Sequence, residues 1–187
     1  MKKNFKIAAI LMIIAAICGL AVSGMNKVTS GIIERNQAEK EAALFKEIFP
    51  QYSIDYSEII EEGLSVEAIS KKVVAKDGSG NLLGNIYTVS GKNAYGPIVL
   101  LVGISSDGKL VSIEFLENGQ SYSSEVQAHV DNKYNAGLTL SDINAIDTKC
   151  GATYGANTVK ELVNIAFNDY NGGAQYWKKN KVLSKIS

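Results

Sequence analysis

Residues 7–25 read IAAILMIIAAICGLAVSGM, a stretch without charge in which Ser23 is the one clearly polar side chain. Wound as a helix at about 1.5 Å per residue, such a segment matches a hydrocarbon core of about 30 Å. Lys2, Lys3 and Lys6 precede it, so the positive-inside rule predicts a cytoplasmic terminus at residues 1–6 and an extracytoplasmic remainder. A cleaved signal peptide also starts with lysines and an apolar run. Here the run is longer than the usual 7 to 15 residues, roughly, of a signal core. No well-formed cleavage site surrounds Ala21, Val22 and Ser23, and Ile17 rather than a small residue stands before Cys18. The expectation is a retained, single-span anchor at residues 7–25.

The anchor hides a charge asymmetry. The whole chain has 19 basic and 19 acidic residues. With Lys2, Lys3, Lys6 and Lys27 set aside, the remainder carries 15 basic and 19 acidic residues, a net of −4. A mildly acidic domain has no electrostatic attraction for nucleic acid or anionic lipid. Cys18 falls within the span, which leaves Cys150 as the single thiol beyond it and no disulfide to form there. One histidine, His129, excludes a metal site built on several imidazoles. The domain must be held by its core.

Past the span, Ile32, Ile33, Ala38, Ala42, Leu44, Phe45 and Ile48 are interleaved with charged residues and run up to Pro50. The spacing predicts an amphipathic stalk within residues 26–50, continuing from the membrane. Residues 51–187 then form the domain proper. Residues 71–75, the turn Asp77-Gly78-Ser79-Gly80 and residues 82–89 read as a hairpin. A Gly-bearing loop at 91–97 leads to the apolar run 98–104, a turn at 105–109 and a strand at 110–116. Residues 123–132 suit a helix, and Ser141, Asp142 and Asp147 punctuate a loop. Val159, Leu162, Val163, Ala166 and Phe167 repeat at helical spacing before Asn171-Gly172-Gly173. Helices at both ends of consecutive hairpins predict an α+β domain on an antiparallel sheet with flanking helices, preceded by one N-terminal transmembrane helix.

The chemistry concentrates in Asp147-Thr148-Lys149-Cys150-Gly151-Ala152-Thr153, just before the last long helix. Small residues there let backbone approach a ligand closely, and a helix start offers unpaired N–H groups and the positive dipole end. Such a place suits a phosphate, with the Thr153 hydroxyl beside it. The same residues also suit a plain helix cap with glycine packing.

This segment resembles the flavinylation motif D-x-x-(S/T/C)-G-A-T of the FMN-binding domain family, whose members include flavin-bearing subunits of the Rnf electron-transport complex and of the sodium-translocating NADH:quinone oxidoreductase. The resemblance implies FMN joined through its phosphate to Thr153, installed by a dedicated flavin transferase. Asp147, Cys150, Gly151 and Ala152 would complete the recognition sequence, and Tyr154 would neighbour the cofactor. Gly96-Pro97-Ile98, Val102-Gly103-Ile104 and Asp107-Gly108-Lys109 are similar to the family's G-P-I, V-G-I and D-G-K strands. The anchor and the stalk ending in Phe49-Pro50 are similar to those of the Rnf member. The implied function is a membrane-anchored electron carrier, working with other membrane subunits of an Rnf-type ion-translocating complex or in a separate extracellular electron-transfer chain.

Two positions depart from the family pattern. Where many members carry E-T-P-G, this chain reads Glu117-Asn118-Gly119-Gln120-Ser121-Tyr122; where many carry hydroxyls after the threonine, it has Gly155 and Ala156. These departures keep open a flavin-free anchored assembly module. Tyr95, Tyr122 and Tyr154 are candidate ring neighbours, although aromatic side chains mostly serve packing. His129, Cys150 and Asp147 would suit a thiol hydrolase if they met in space.

Overall fold

The computed structural model describes residues 11–12, 14–16, 18–19, 36–61, 64 and 66–172. The chain divides into two compact units, Met1–Ala42 and Ala43–Ser187. In the first unit the described residues between 11 and 19 are helical, and the apolar side chains of Leu11, Met12 and Ile14 are exposed. Much of the expected span at residues 7–25 and the tail from residue 173 on lie outside the described residues. Among the described residues no helix is long and apolar enough to cross a membrane.

The second unit is built on one five-stranded sheet in which chain order is spatial order, each neighbour antiparallel. Its strands are β1 (Glu58–Ile60), β2 (Ile69–Lys76), β3 (Leu82–Asn93), β4 (Gly96–Ser105) and β5 (Leu110–Asn118). Helix α1 (residues 36–48) precedes the sheet, and its residues 43–48 belong to this unit. Among the described residues, three helices follow the sheet: α2 (Ser123–Lys133), α3 (Leu140–Ala145) and α4 (Thr153–Tyr170). The expected α+β architecture with flanking helices is the observed one.

Alternation along each strand assigns two faces. In β4, Ile98, Leu100, Val102 and Ile104 are fully buried and share a core with Tyr87, Val89 and the α4 residues Val159, Leu162, Val163, Ala166 and Phe167. Their neighbour Leu101 points the other way, into a smaller core of Val73, Ala75 and Ile86 covered by Phe45, Ile48, Phe49 and Tyr52. The domain expected from residue 51 on thus shares its core with the end of α1. Each fully buried aliphatic or aromatic side chain contributes roughly 1.5–3 kcal/mol, so the α4 face, with the larger set, carries most of the stabilisation. The far end of α4 is tied down by Lys72, whose ammonium lies 3.2 Å from the Asp169 carboxylate and 5.2 Å from the Tyr87 ring centroid.

Two local expectations change, and one strand is added. The loop expected at 91–97 is mostly strand: β3 runs to Asn93, β4 starts at Gly96, and only Ala94 and Tyr95 turn between them. The loop expected around Ser141 and Asp142 is α3, started by Thr139, whose hydroxyl accepts from the Asp142 N–H while the Asp142 carboxylate accepts from the Thr139 N–H. The three-residue edge strand β1 is an addition, too short to show a period in the sequence.

Candidate functional site

Helix α4 starts at Thr153 behind Ala152, and Ala152 has no side chain that can cap it. The N–H groups of a first helical turn have no partner within the helix, and no acidic side chain stands in this one. Among the described residues, the start of α4 therefore has neither a side-chain cap nor an acid of its own at its positive dipole end. Thr153 is half-buried, and its hydroxyl donates to the Cys150 carbonyl at 2.8 Å.

Around this start lies a small cleft of about 70 Å³ lined by Gly151, Ala152, Thr153, Tyr154 and Gly155, with Tyr95, Gln120, Tyr122 and Val126 opposite. Each element reaches it for a local reason. The β3–β4 turn carries Tyr95, and Gly96 follows with φ +137°, a conformation open to glycine. A Cβ on Gly96 would fall 2.0 Å from the Gly119 carbonyl oxygen. That closeness lets residues 119–121 pair with the turn: Gly119 N–H donates to Pro97, Ser121 N–H to Tyr95, and the buried Gln120 amide to the Gly96 carbonyl at 2.5 Å. Helix α2 closes the floor through Val126. A Cβ on Gly155 would lie 2.4 Å from a Val126 methyl, so α4 meets α2 here only through a glycine.

Three tyrosines rim the cleft. Tyr95 lies 5.5 Å from Tyr154 and 6.4 Å from Tyr122, centroid to centroid. Tyr95, Tyr154 and Tyr122 are 42%, 63% and 54% exposed, respectively. Aromatic rings in a core bury most of their surface; these do not, and the packing role that the sequence favours for them is not the one they have. Tyr52, Tyr87 and Tyr134 take that role instead.

The sequence-derived site residues separate into two groups. Gly151, Ala152, Thr153 and Tyr154 line the cleft. Asp147 and Cys150 stand behind it on the approaching loop: the exposed Asp147 carboxylate accepts from the Lys149 N–H at 3.0 Å, and half-buried Cys150 packs against the main core. Helix α4 straps this loop down. The Lys160 ammonium donates to the carbonyls of Asn144 and Ile146 at 2.9 and 2.7 Å, and the Thr148 hydroxyl donates to the Asn157 amide oxygen. Glu125, beside Gly151, accepts from Ser124 at 2.8 Å. Val126 is a cleft residue that sequence reasoning misses, while Gln120 and Gly155 enter it only as departures from the family pattern. Gly155 and Ala156, which stand where hydroxyls are common in the family pattern, are both buried, and Gly155 makes the contact with α2.

The thiol-hydrolase arrangement does not form. Among the described residues no hydrogen bond joins the Cys150 thiol and His129; the buried His129 Nε2 has no hydrogen-bond partner, and its ring meets Tyr134 edge-on at 6.2 Å. Burial, with Lys133 adding to it and Asp147 opposing it, holds the His129 imidazole below its usual pKa.

Residues 1–48 match a family model described as the RnfG N-terminal region, and residues 94–168 match the FMN-binding domain. The second range contains every residue that lines the cleft. No curated protein matches the chain at a significant level.

Proposed function

Starting from a chain that matches the RnfG N-terminal region and the FMN-binding domain, we propose that it is the membrane-anchored flavin subunit of an Rnf-type electron-transport complex, with FMN esterified to Thr153. Binding of FMN by an Rnf-type subunit is the coarser reading that the family matches support directly. The covalent bond, the attachment residue and the anchor are the finer steps of the proposal.

The observation that carries it is the start of α4: an uncapped helix N-terminus with a threonine hydroxyl at its first position, opening on a cleft rimmed by three exposed tyrosines. These residues fit a flavin phosphate in kind. N–H groups without a side-chain cap and the helix dipole favour an anion there, and aromatic faces suit a flat heterocycle. When bound, FMN supplies one- or two-electron transfer through its ring system. The chain's own residues would do the rest. Thr153 would retain the cofactor in a compartment where a dissociating one is lost, the first turn of α4 would hold the phosphate, and Tyr95, Tyr122 and Tyr154 would orient the ring at the surface, within reach of partners.

The remaining parts follow from the sequence. Residues 1–6 would be cytoplasmic, 7–25 would span the membrane, and the stalk at 26–50 would present an extracytoplasmic domain at 51–187. A flavin transferase would mature it, and other membrane subunits would deliver and remove electrons. Asp147, Cys150, Gly151 and Ala152 would form the sequence read by the transferase.

The test is a denaturing gel of the full chain co-expressed with a flavin transferase. A fluorescent wild-type band that is lost in Thr153→Ala is expected. A dark wild-type band, with the transferase active on a control protein, would leave the flavin-free assembly module standing.

A further inference from the structure

The tyrosine rim raises a physical problem. Rings exposed to this degree are not fixed by packing, yet Tyr95 and Tyr154 come from separate elements and meet at 5.5 Å. Something other than burial must set their spacing.

One side chain bridges the two elements. Asn93 closes β3, paired with Gly96 across the turn. Its Oδ1 accepts from the Tyr95 N–H at 2.8 Å, which fixes the backbone that carries the first ring. Its Nδ2 donates to the Thr158 hydroxyl at 2.9 Å, and that hydroxyl donates in turn to the Tyr154 carbonyl at 3.0 Å. A single amide thus joins the two-residue turn to the first turn of α4 and ties both ring-bearing backbones to one point. Both ends of the amide are used in the only sense each allows, carbonyl as acceptor and NH2 as donor.

We infer that Asn93, acting through Thr158, is the positioning residue of the aromatic rim and sets how the rim meets a flat aromatic ligand attached at Thr153. The inference rests on the flavin reading above and goes beyond it by assigning a role to two residues outside the attachment motif. Neither residue lines the cleft. Both act on the tyrosines through backbone, and a side chain that orients others is as necessary to a site as the groups that touch the ligand.

The test uses the full chain loaded with flavin by co-expressed transferase. A phenol in contact with an excited isoalloxazine donates an electron to it and quenches its emission, so the ratio of native to denatured flavin fluorescence reports the contact between rim and ring. The wild type is expected to be dimmer native than denatured. Asn93→Ala and Thr158→Val should each raise native emission towards the denatured value with flavin per chain unchanged. The double variant should add little to either, because the two residues form one connection. Thr158→Ser keeps the hydroxyl and should behave as wild type, which a general loss of packing would not explain. Thr158→Val keeps the side-chain shape and removes the hydroxyl, so it decides the question if Asn93→Ala folds poorly.

Wild-type quenching retained in both single variants overturns the positioning role and leaves the flavin reading intact, since the denatured band still fluoresces. A wild type unquenched when native overturns it in the same way. Flavin absent from every chain overturns the flavin reading, and this inference with it.

Discussion

Helices α3 and α4 begin in opposite ways. Helix α3 has six residues, and its start is closed by its own sequence: Thr139 and Asp142 satisfy each other's backbone N–H groups, and Asp142 sets a negative charge at the positive end of the dipole. Helix α4 has 18 residues and starts behind an alanine, with no side-chain cap and no acid in its first turn. The difference follows from what each helix has to hold it. A helix of under two turns with one buried residue, Ile143, gains little from packing and needs its cap. Helix α4 buries a full face, from Ala156 to Phe167, and is held without one. An uncapped start on a well-anchored helix is free to bind something else.

The largest effect expected from disturbing this contrast is at Gly155. If α4 can start bare because its first turn is pressed on α2, then filling the contact should cost more than any cap. A Cβ at Gly155 would meet the Val126 methyl at 2.4 Å, and a valine γ-methyl cannot swing away as a longer side chain could. Gly155→Val should lose about 1–3 kcal/mol in urea unfolding, the range for overpacking a tight site. A loss below about 0.5 kcal/mol, typical of a surface change, would mean that α2 and α4 separate freely and that packing does not hold the start of α4.

Gly155 also shows where sequence reasoning reaches its limit. Strand and helix existence is legible where a period repeats several times, as in Ile98, Leu100, Val102 and Ile104 or in Val159, Leu162, Val163 and Ala166. The attachment segment is legible because the start of a long helix after small residues is a local pattern. Glycine and proline crowd residues 91–97 and suggest a loop around Asn93 and Tyr95, whereas Lys92 pairs with Pro97 in register and the strands continue almost to the turn. Val126 is not legible at all, since it reaches the cleft through tertiary packing, and Gln120 is legible only as part of the 117–122 segment that departs from the family pattern. The Thr139-Leu140-Ser141-Asp142 start is different: a threonine followed three residues later by an acid is a capping signature, obscured here by the shortness of the apolar run after it. Tyr95, Tyr122 and Tyr154 are legible as candidates, but their exposure is not.

A smaller effect tests the other side of the contrast. Thr139→Ala removes the hydroxyl that accepts from Asp142 and leaves the helix N–H groups uncapped, at a cost of about 1 kcal/mol. The fluorescent band on a denaturing gel should be unchanged, because Thr139 does not line the cleft. A fall in flavin loading equal to that of a cleft variant would join the two helix starts and end the distinction drawn between them.

The smallest effect is in the pH dependence. Hydrogen bonds from the Thr139 hydroxyl and then the Thr139 N–H hold the Asp142 carboxyl below its ordinary value of 3.8. A depressed folded-state pKa means that the unfolded chain binds the proton more readily, so this cap stabilises above about 3.8 and is lost as pH falls through the lower folded value. The start of α4 has no carboxylate cap to lose. Hydrogen exchange corrected for intrinsic rates should therefore show protection at Ile143 and its neighbours falling on acidification, while Ala156 and Val159 hold theirs down to the same pH. Asp142→Asn should flatten the first response. Equal acid sensitivity at both helix starts would mean that a titrating group, unrelated to capping, governs the two together. Sensitivity confined to α3 would leave the start of α4 as the one whose donors are independent of any side chain of its own.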